Sequence, residues 1–196
     1  AVEDRYSQYN QKFTLVDSKE LAKISGFSTP NKVLATFKIP SPLTVNWSSL
    51  TVALDGINDP GNLGTIIRLC DWFGIEDLIC SEDTVNCYNP KVVQASMGSH
   101  TRVNITYVDL KKTLSTVSNC MGTFMDGISI YNQTLPKTGV IVLGNEANGI
   151  SENISSLLTE KLSIPRFGAF KKTESLNVAN AVSIFLSEYR RRFTET

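Results

Sequence analysis

The amino-acid sequence predicts an α/β domain with a mostly parallel sheet and helices on both faces. From about residue 50 onward, short β-like runs alternate with longer helical ones, which is typical of parallel strands joined by helical crossovers. Within that region, Val140-Ile141-Val142-Leu143 is a continuous apolar run, as expected of a strand that is buried on both faces. The 196 residues are 41% hydrophobic and 19% charged, a composition that allows a substantial core.

The elements follow in order from residue 50. In the first helix, apolar side chains recur at helical spacing and form one stripe, made of Leu63, Ile66, Ile67, Cys70 and Phe73. Gly74 stands at the C′ position, where glycine commonly ends a helix. The expected strands are residues 50–57, 75–80, 103–108, 123–126, 140–143 and 162–164. The expected helices are residues 62–73, about 90–97, 110–120, a stretch beginning at Ser151, and 175–193.

Residues 1–45 differ in character from the rest. Tyr6 to Phe13 is polar, and Gly26 to Pro42 contains Gly, Ser, Thr and three of the seven prolines. Such a composition is typical of a linker or a peripheral segment. The chain begins with Ala1 and not Met, as an excised piece of a longer protein would.

Charge and hydropathy exclude several classes of protein. The 19 Lys and Arg balance the 19 Asp and Glu, which argues against a histone-like or strongly basic nucleic-acid binder but leaves room for local basic patches. No apolar run approaches the ~20 residues of a membrane span. The sequence does not open on a secretory signal pattern. We therefore expect a soluble, cytoplasmic protein without a membrane partner.

The cysteines and the single histidine do not predict a metal site. Cys70, Cys80, Cys87 and Cys120 show no Cys-x-x-Cys spacing, and His100 stands alone. Cys70 and Cys80 lie in apolar stretches, as small buried hydrophobes of a reducing compartment do. Dinucleotide, phosphate-loop and nucleophile-elbow motifs are absent, which excludes most dehydrogenases, NTPases and Ser-His hydrolases.

Three loops are expected at one edge of the sheet, outside the carboxyl ends of the strands, where α/β proteins bind ligands. The first covers residues 55–64 and leads into a helix that carries Arg68. Its Gly, Asn and Pro residues equally fit an ordinary turn with Asn62 as the helix N-cap. Arg68 lies opposite the apolar stripe, so it equally fits a solvated surface charge.

The second and third loops carry the other candidate residues. Residues 144–149 hold two glycines and two asparagines, which suit close approach of the backbone to a ligand but also a plain turn; Glu146 is the one charge there. The third loop covers residues 164–174 and ends on Ser175-Leu176-Asn177. Ser175 is accounted for as an N-cap, whereas Asn177 falls in the first turn, where asparagine is a mediocre helix former.

Three segments have a specific order and spacing. They are Asn62-Leu63-Gly64-Thr65-Ile66-Ile67-Arg68, then Leu143-Gly144-Asn145-Glu146-Ala147-Asn148-Gly149-Ile150, then Ile164-Pro165-Arg166 with Ser175-Leu176-Asn177-Val178-Ala179. Together they resemble the three motifs of the SpoU (TrmH-like) RNA ribose methyltransferases of the SPOUT superfamily. The resemblance covers about residues 50–193. One departure is Arg166-Phe167, where many members have Met and then Gly.

The resemblance implies methyl transfer from S-adenosylmethionine to a ribose 2′-hydroxyl of structured RNA. It also implies a homodimer and a deep trefoil knot near the C-terminus, which general topology rules would not suggest. The implied catalytic residues are Asn62, Arg68, Glu146, Ser175 and Asn177. The implied cofactor-binding residues are Leu143, Gly144, Asn145, Gly149, Ile164, Ser175, Leu176 and Asn177. A metal is not implied.

Arg68 suits RNA because its planar guanidinium can hold a phosphate in a bidentate manner beside the reacting ribose. It is a poor proton acceptor, since the guanidinium stays protonated in proteins. We therefore expect Arg68 to anchor a phosphate and to stabilise the developing alkoxide, and general-base action stays open. Arg190, Arg191 and Arg192 add positive charge after the third motif, or they complement a helix C-terminus.

The N-terminal segment also resembles a known domain. Residues 19–25 and 29–35 are similar to the end of the ribosomal-protein-like RNA-binding domain that often precedes this catalytic domain. The resemblance therefore implies a linker and domain tail in residues 1–45, a methyltransferase domain in residues 46–196, and rRNA in preference to tRNA. Two alternatives are a dimeric binding module of the same fold without catalysis, and a small-molecule methyltransferase.

Overall fold

The computed structural model describes residues 14–168 and 175–193, and the chain divides into two units, residues 1–40 and 41–196. In the first unit, helix α1 (Ser18–Ile24) begins with a capping box. Asp17 Oδ1 accepts hydrogen bonds from two backbone N–H groups of the first turn, and the Glu20 carboxylate accepts from the Asp17 N–H. Residues 1–13 lie outside the described part, and the assignment of residues 1–45 to an RNA-binding domain stays a prediction.

The second unit contains a six-stranded sheet in the order β3-β2-β1-β5-β4-β6. Its strands are β1 (Leu50–Asp55), β2 (Asp77–Ser81), β3 (Asn104–Val108), β4 (Cys120–Ser129), β5 (Gly139–Gly144) and β6 (Glu160–Ser163). Every neighbouring pair is parallel, which confirms the predicted fold class. All the loops that follow strands therefore leave the sheet at one edge.

Helices cover both faces of this sheet, as predicted. They are α2 (Pro60–Trp72), α3 (Pro90–Ser96), α4 (Leu110–Leu114), α5 (Glu152–Ser155) and α6 (Val178–Phe193). In β5, Ile141 and Leu143 belong to the core that contains α2 and α6, whereas Val140 and Val142 belong to the core that contains α4 and α5. This alternation follows from the two-residue period of a strand. No helix in the described ranges is long and apolar enough to cross a bilayer.

The helix predicted for residues 110–120 is wrong in its second half. Helix α4 ends at Leu114, where the hydroxyls of Ser115 and Thr116 donate to carbonyls three residues earlier. These local hydrogen bonds compete with helix continuation. Cys120 then opens β4 and pairs with Val140. Strand β4 extends well beyond the predicted residues 123–126, with a change of register between Thr123 and Ile128.

Two predicted helix starts also need correction. Asp59, and not Asn62, is the N-cap of α2, and its Oδ1 accepts from the Asn62 N–H at 2.7 Å. Asn177, and not Ser175, caps α6, because its Oδ1 accepts from the N–H groups of Ala179 at 2.9 Å and Asn180 at 3.3 Å. The predicted helix end is confirmed, since Gly74 adopts a φ of 62° after α2.

Helices α2 and α6 run parallel and are joined at both ends. At their N-terminal ends, Asn177 Nδ2 donates to Asn62 Oδ1 at 2.9 Å. At their C-terminal ends, the Arg190 guanidinium donates to the carbonyl oxygens of Phe73 at 2.5 Å and Gly74 at 2.6 Å. Arg190 therefore satisfies carbonyl groups at the end of α2, which supports a structural role for it.

Arg192 and Tyr189 attach α6 to the connection between β4 and β5. Arg192 Nη2 donates to the Ile130 carbonyl oxygen at 2.6 Å, and Nη1 donates to the Gln133 carbonyl oxygen. The Tyr189 hydroxyl donates to the Lys137 carbonyl oxygen. Arg191 donates to both carboxylate oxygens of Glu188, so the three C-terminal arginines are engaged mainly within the fold. The trefoil knot stays a prediction.

Candidate active site

A cavity of about 560 Å³ lies at the edge of the sheet where β5 and β6 end. Strand β4, the loops after β5 and β6, and the start of α6 form its walls. Seven of the eight predicted cofactor residues line it: Leu143, Gly144, Asn145, Gly149, Ile164, Ser175 and Leu176. A volume of several hundred Å³ with mixed polar and apolar walls suits a small-molecule ligand. The second and third motifs therefore share one cavity.

The loop after β5 closes on itself through glycine. The Asn145 N–H donates to the Gly149 carbonyl oxygen at 3.0 Å, and the Gly149 N–H donates back to the Asn145 carbonyl oxygen at 2.8 Å. A Cβ on Gly144 would lie 2.1 Å from the carbonyl carbon of Gly149, and Gly149 has a φ of 69°. Both positions therefore require glycine for the shape of the loop itself.

The side chain of Asn145 holds this loop rather than projecting freely. Its Nδ2 donates to the Gly56 carbonyl oxygen at 2.7 Å. Its Oδ1 accepts from the N–H groups of Ala147 at 2.9 Å and Asn148 at 3.3 Å. Both ends of the amide are therefore used within the protein, and Asn145 connects the loop to the end of β1.

Three of the predicted catalytic residues form one hydrogen-bonded chain. Asn177 Nδ2 donates to Asn62 Oδ1, and Asn62 Nδ2 donates to Glu146 Oε1 at 2.7 Å. Glu146 also lines the cavity. The chain joins one residue from each of the three motifs, and it does so where α2 and α6 begin. The helix dipoles favour a carboxylate at such a place.

Arg68 lies apart from this chain and from the cavity lining. Its side chain is exposed, and it makes no hydrogen bond or ion pair within residues 14–168 and 175–193. Asp71, one turn later on α2, is engaged by Arg102 instead, which donates to both carboxylate oxygens. The hydrogen bonds from Arg102 and from Ser99 hold the pKa of Asp71 below its usual value. Arg68 is therefore not neutralised by this neighbour.

The sequence did not indicate the wall that β4 contributes. Thr123, Phe124 and Met125 line the cavity, and Lys161 Nζ lies 4.7 Å from the centre of the Phe124 ring, within cation–π range. They were missed because β4 lies between β5 and β6 in the sheet, and strand order is not readable from the sequence. Within the described residues, no group of three or more His, Cys, Asp or Glu is placed to hold a metal ion.

The loop that departs from the family pattern borders the same cavity. Arg166 is one of the lining residues, whereas the Phe167 side chain is exposed. Ala169 to Glu174, the rest of the third loop, lie outside the described residues. Asn177 does not line the cavity, because its side chain caps α6 and contacts Asn62.

Comparison with known proteins extends these observations. Residues 49–187 match the SpoU rRNA Methylase family. The 23S rRNA (guanosine-2'-O-)-methyltransferase RlmB of Neisseria meningitidis serogroup B is 34% identical over 149 residues, which are 73% of this chain but only 58% of that protein. A structure from Porphyromonas gingivalis, assigned to the TrmH family of RNA methyltransferases, is 37% identical, with a TM-score of 0.78 over 91% of this chain and 73% of the other. The SpoU methyltransferase AviRb from Streptomyces viridochromogenes, solved in complex with AdoMet, is 25% identical. Its TM-score is 0.83, and the match covers 96% of this chain and 77% of the AviRb chain.

Proposed function

Because this chain belongs to the SpoU rRNA methylase family, we propose that it transfers a methyl group from S-adenosylmethionine to a ribose 2′-hydroxyl of structured RNA. The observation that carries this proposal is the chain from Asn177 through Asn62 to Glu146, which links all three motifs beside one cavity. Methyl transfer to a hydroxyl depends chiefly on proximity and orientation. A hydrogen-bonded polar arrangement beside a cofactor-sized cavity suits that requirement.

The residues around the cavity fit the cofactor. Leu143, Ile164 and Leu176 supply apolar surface, and the closed loop 144–149 supplies backbone polar groups. The cavity volume of about 560 Å³ is in the range of small-molecule sites. The cofactor would supply the electrophilic methyl group; the residues of the chain would bind it and orient the ribose.

The roles of the polar residues follow from their contacts. Glu146 Oε1 accepts from Asn62, so its second carboxylate oxygen is suited to accept a hydrogen bond from the ribose hydroxyl. Asn62 and Asn177 fix the orientation of Glu146. Ser175 lines the cavity and is suited to donate to a bound polar group. Arg68 would hold an RNA phosphate and stabilise the negative charge that develops on the ribose oxygen.

We propose rRNA as the substrate in preference to tRNA, and a cytoplasmic location for the protein. The name of the RlmB relative supports this choice. Residues 1–45 would then be a linker and the tail of a preceding RNA-binding domain, with the methyltransferase domain in residues 46–196. If that domain binds the RNA, the catalytic domain itself does not need a strongly basic surface.

A homodimer is part of the proposal. Two large apolar side chains beside the first motif support it, since Trp72 on α2 is 82% exposed and Met97 after α3 is 71% exposed. Aromatic residues and methionine are enriched in protein–protein interfaces relative to the rest of a protein surface. A Trp72→Lys variant should shift the mass measured by light scattering from dimer to monomer.

Two measurements test the proposed activity. Isothermal titration with S-adenosylmethionine reports cofactor binding, and a radiolabelled methyl-transfer assay compares rRNA, tRNA and free nucleosides. We expect binding and transfer to rRNA. Binding without transfer to any RNA would favour the alternative of a non-catalytic module. Transfer to free nucleosides would favour a small-molecule methyltransferase.

A further inference from the structure

The end of β1 holds the loop after β5 at both of its ends. Asp55 and Gly144, the last residues of β1 and β5, are paired in the sheet. Asp55 Oδ2 accepts from the Ser151 N–H at 2.7 Å, just after the loop. The Gly56 carbonyl oxygen accepts from Asn145 Nδ2, at the beginning of the loop. Neither Asp55 nor Gly56 lines the cavity.

The backbone at Gly56 is itself fixed by β2. Gly56 has a φ of 71°, and its N–H donates to Ser81 Oγ at 2.8 Å. Ser81 Oγ in turn donates to Asp83 Oδ1 at 2.5 Å, and a Cβ on Gly56 would lie 3.3 Å from Asp83 Oδ2. The attachment points of the loop thus lie at the end of β1, a central strand of the sheet.

Two hydrogen bonds attach the loop to the end of β1, and the one from the Ser151 N–H to Asp55 has a carboxylate as its acceptor. Hydrogen bonds to an ionised carboxylate are stronger than those between neutral groups. Ser151 precedes α5, and its own side chain makes no capping hydrogen bond, whereas the Asp55 carboxylate accepts from its backbone N–H. A loop that is already ordered loses less conformational entropy when a ligand binds.

We infer that Asp55 is a positioning residue for S-adenosylmethionine, acting through Ser151 to hold loop 144–149 in its binding conformation. This inference rests on the proposed function, since it takes the cavity for the cofactor site. Asp55 does not touch the cofactor. Its effect is on the free-energy cost of ordering the loop, and so on cofactor affinity more than on the rate at saturation.

Isothermal titration with S-adenosylmethionine tests this role with a set of variants. Asp55→Ala removes the acceptor and should weaken binding about tenfold, the effect of losing one hydrogen bond to a charged group. Asp55→Asn keeps an oxygen that can accept from Ser151 but loses the charge, so it should bind more weakly than the original protein and more tightly than Asp55→Ala. Ser151→Pro removes the donor instead; because Ser151 already has a φ of −62°, it should reproduce the effect of Asp55→Ala.

Asp109→Ala is the matched control. Asp109 also accepts from a backbone N–H, that of Lys112 at 3.0 Å, at the start of α4. Its loss should lower the melting temperature without changing cofactor affinity. In methyl-transfer assays, Asp55→Ala should raise the KM for S-adenosylmethionine while kcat changes little. An equal loss of affinity in Asp109→Ala, or unchanged affinity in both Asp55→Ala and Ser151→Pro, would overturn the inference.

Hydrogen exchange separates this inference from the proposed function. In the absence of cofactor, the amides of residues 144–151 should exchange faster in Asp55→Ala than in Asp55→Asn or Asp109→Ala. Unchanged exchange there would show that Asp55 does not hold the loop. If the original protein binds no S-adenosylmethionine although exchange responds as expected, the proposed function fails while the attachment of the loop to β1 stands.

Discussion

Asn62 Nδ2 lies 2.7 Å from Glu146 Oε1, and this hydrogen bond joins side chains 84 residues apart in the sequence. The Asn62 side chain can make it because Asp59 already caps α2. Its amide oxygen accepts from Asn177 at the same time. A single asparagine thus links the loop after β5 to both helices that begin at the site.

Exchanging the donor and the acceptor tests this arrangement. Asn62→Asp alone places a second carboxylate against Glu146, and the repulsion should weaken cofactor binding and lower stability. The double variant Asn62→Asp with Glu146→Gln restores a donor facing an acceptor, so it should recover part of both. Thermal unfolding and titration of the single and double variants give the coupling energy, which we expect to be about 0.5–3 kcal/mol. Strictly additive effects would contradict a direct interaction.

Arg68→Ala should reduce methyl transfer by about 10²-fold or more while cofactor affinity stays nearly intact. The reason is that Arg68 does not line the cavity but is free to approach an RNA phosphate. Arg68→Lys should recover only part of the rate, because an ammonium group lacks the bidentate geometry. Loss of cofactor binding with normal turnover at saturating cofactor would show that the assigned role is wrong.

Gly64→Ala should destabilise the protein although alanine is the better helix former by about 1 kcal/mol. A Cβ at Gly64 would lie 2.5 Å from the Ala95 Cβ and 2.7 Å from the Val92 carbonyl oxygen. Because one of these atoms is backbone, α2 and α3 would have to separate, at a net cost of about 1–3 kcal/mol. Urea unfolding measures it, with Thr65→Ala on the exposed side of α2 as the control. A more stable Gly64→Ala protein would mean that the two helices separate easily.

Glu188 should make stability depend on pH in the acid range. Hydrogen bonds from Arg191 and then Arg192 lower the pKa of this buried carboxyl to about 2, from an ordinary value of 4.5. A carboxyl whose pKa is lowered on folding stabilises the fold above its unfolded-state pKa, and this contribution disappears as the pH falls from about 4.5 to about 2. Unfolding measured between pH 2 and 7 should show that loss.

Glu188→Gln provides the comparison for that measurement. The variant should be less stable at pH 7 by about 1–3 kcal/mol, because two guanidinium groups lose their charged acceptor. Its stability should also vary less between pH 4.5 and pH 2. The exposed Glu152, replaced by Gln, serves as the control. An unchanged pH profile in Glu188→Gln would assign the acid sensitivity to other carboxylates.

The four cysteines should resist alkylation in the folded protein. All are buried, and burial, together with the nearby Asp71, raises the pKa of the Cys70 thiol to about 12. Since the thiolate is the reactive form, iodoacetamide at pH 8 should label none of them until the chain is unfolded. Mass spectrometry with and without denaturant measures this. Fast labelling of Cys87 in the native state would instead indicate opening of the segment after β2.

The helix starts show what a sequence alone can and cannot determine. Each segment offers two side chains able to cap within three residues: Asp59 or Asn62 for α2, and Ser175 or Asn177 for α6. Local preference does not decide between them. At α2 the observed cap, Asp59, is consistent with a contact between residues far apart in the sequence, because the Asn62 side-chain amide donates to Glu146. The apolar stripe and Gly74 were predictable because their signal is local.

The cavity wall formed by β4 was unpredictable for a different reason. Nothing local in Thr123 to Met125 shows that their strand lies between β5 and β6, since crossovers determine the order of parallel strands. The shortened α4 also depends on the hydroxyls of Ser115 and Thr116, which can lie either within a helix or at its end. The described parts of the motif loops, by contrast, lie at the predicted edge because all parallel strands end there.

The parallel pair α2 and α6 limits how the length of this protein can vary. Asn177 at the start of α6 must reach Asn62. At the same time, Arg190 near its end must reach the carbonyl oxygens of Phe73 and Gly74. Inserting one residue in either helix would shift one end by ~1.5 Å and rotate it by ~100° relative to the other. Only one attachment could then form. Insertions and deletions should therefore accumulate in the loops of related sequences while the spacing within these two helices stays constant.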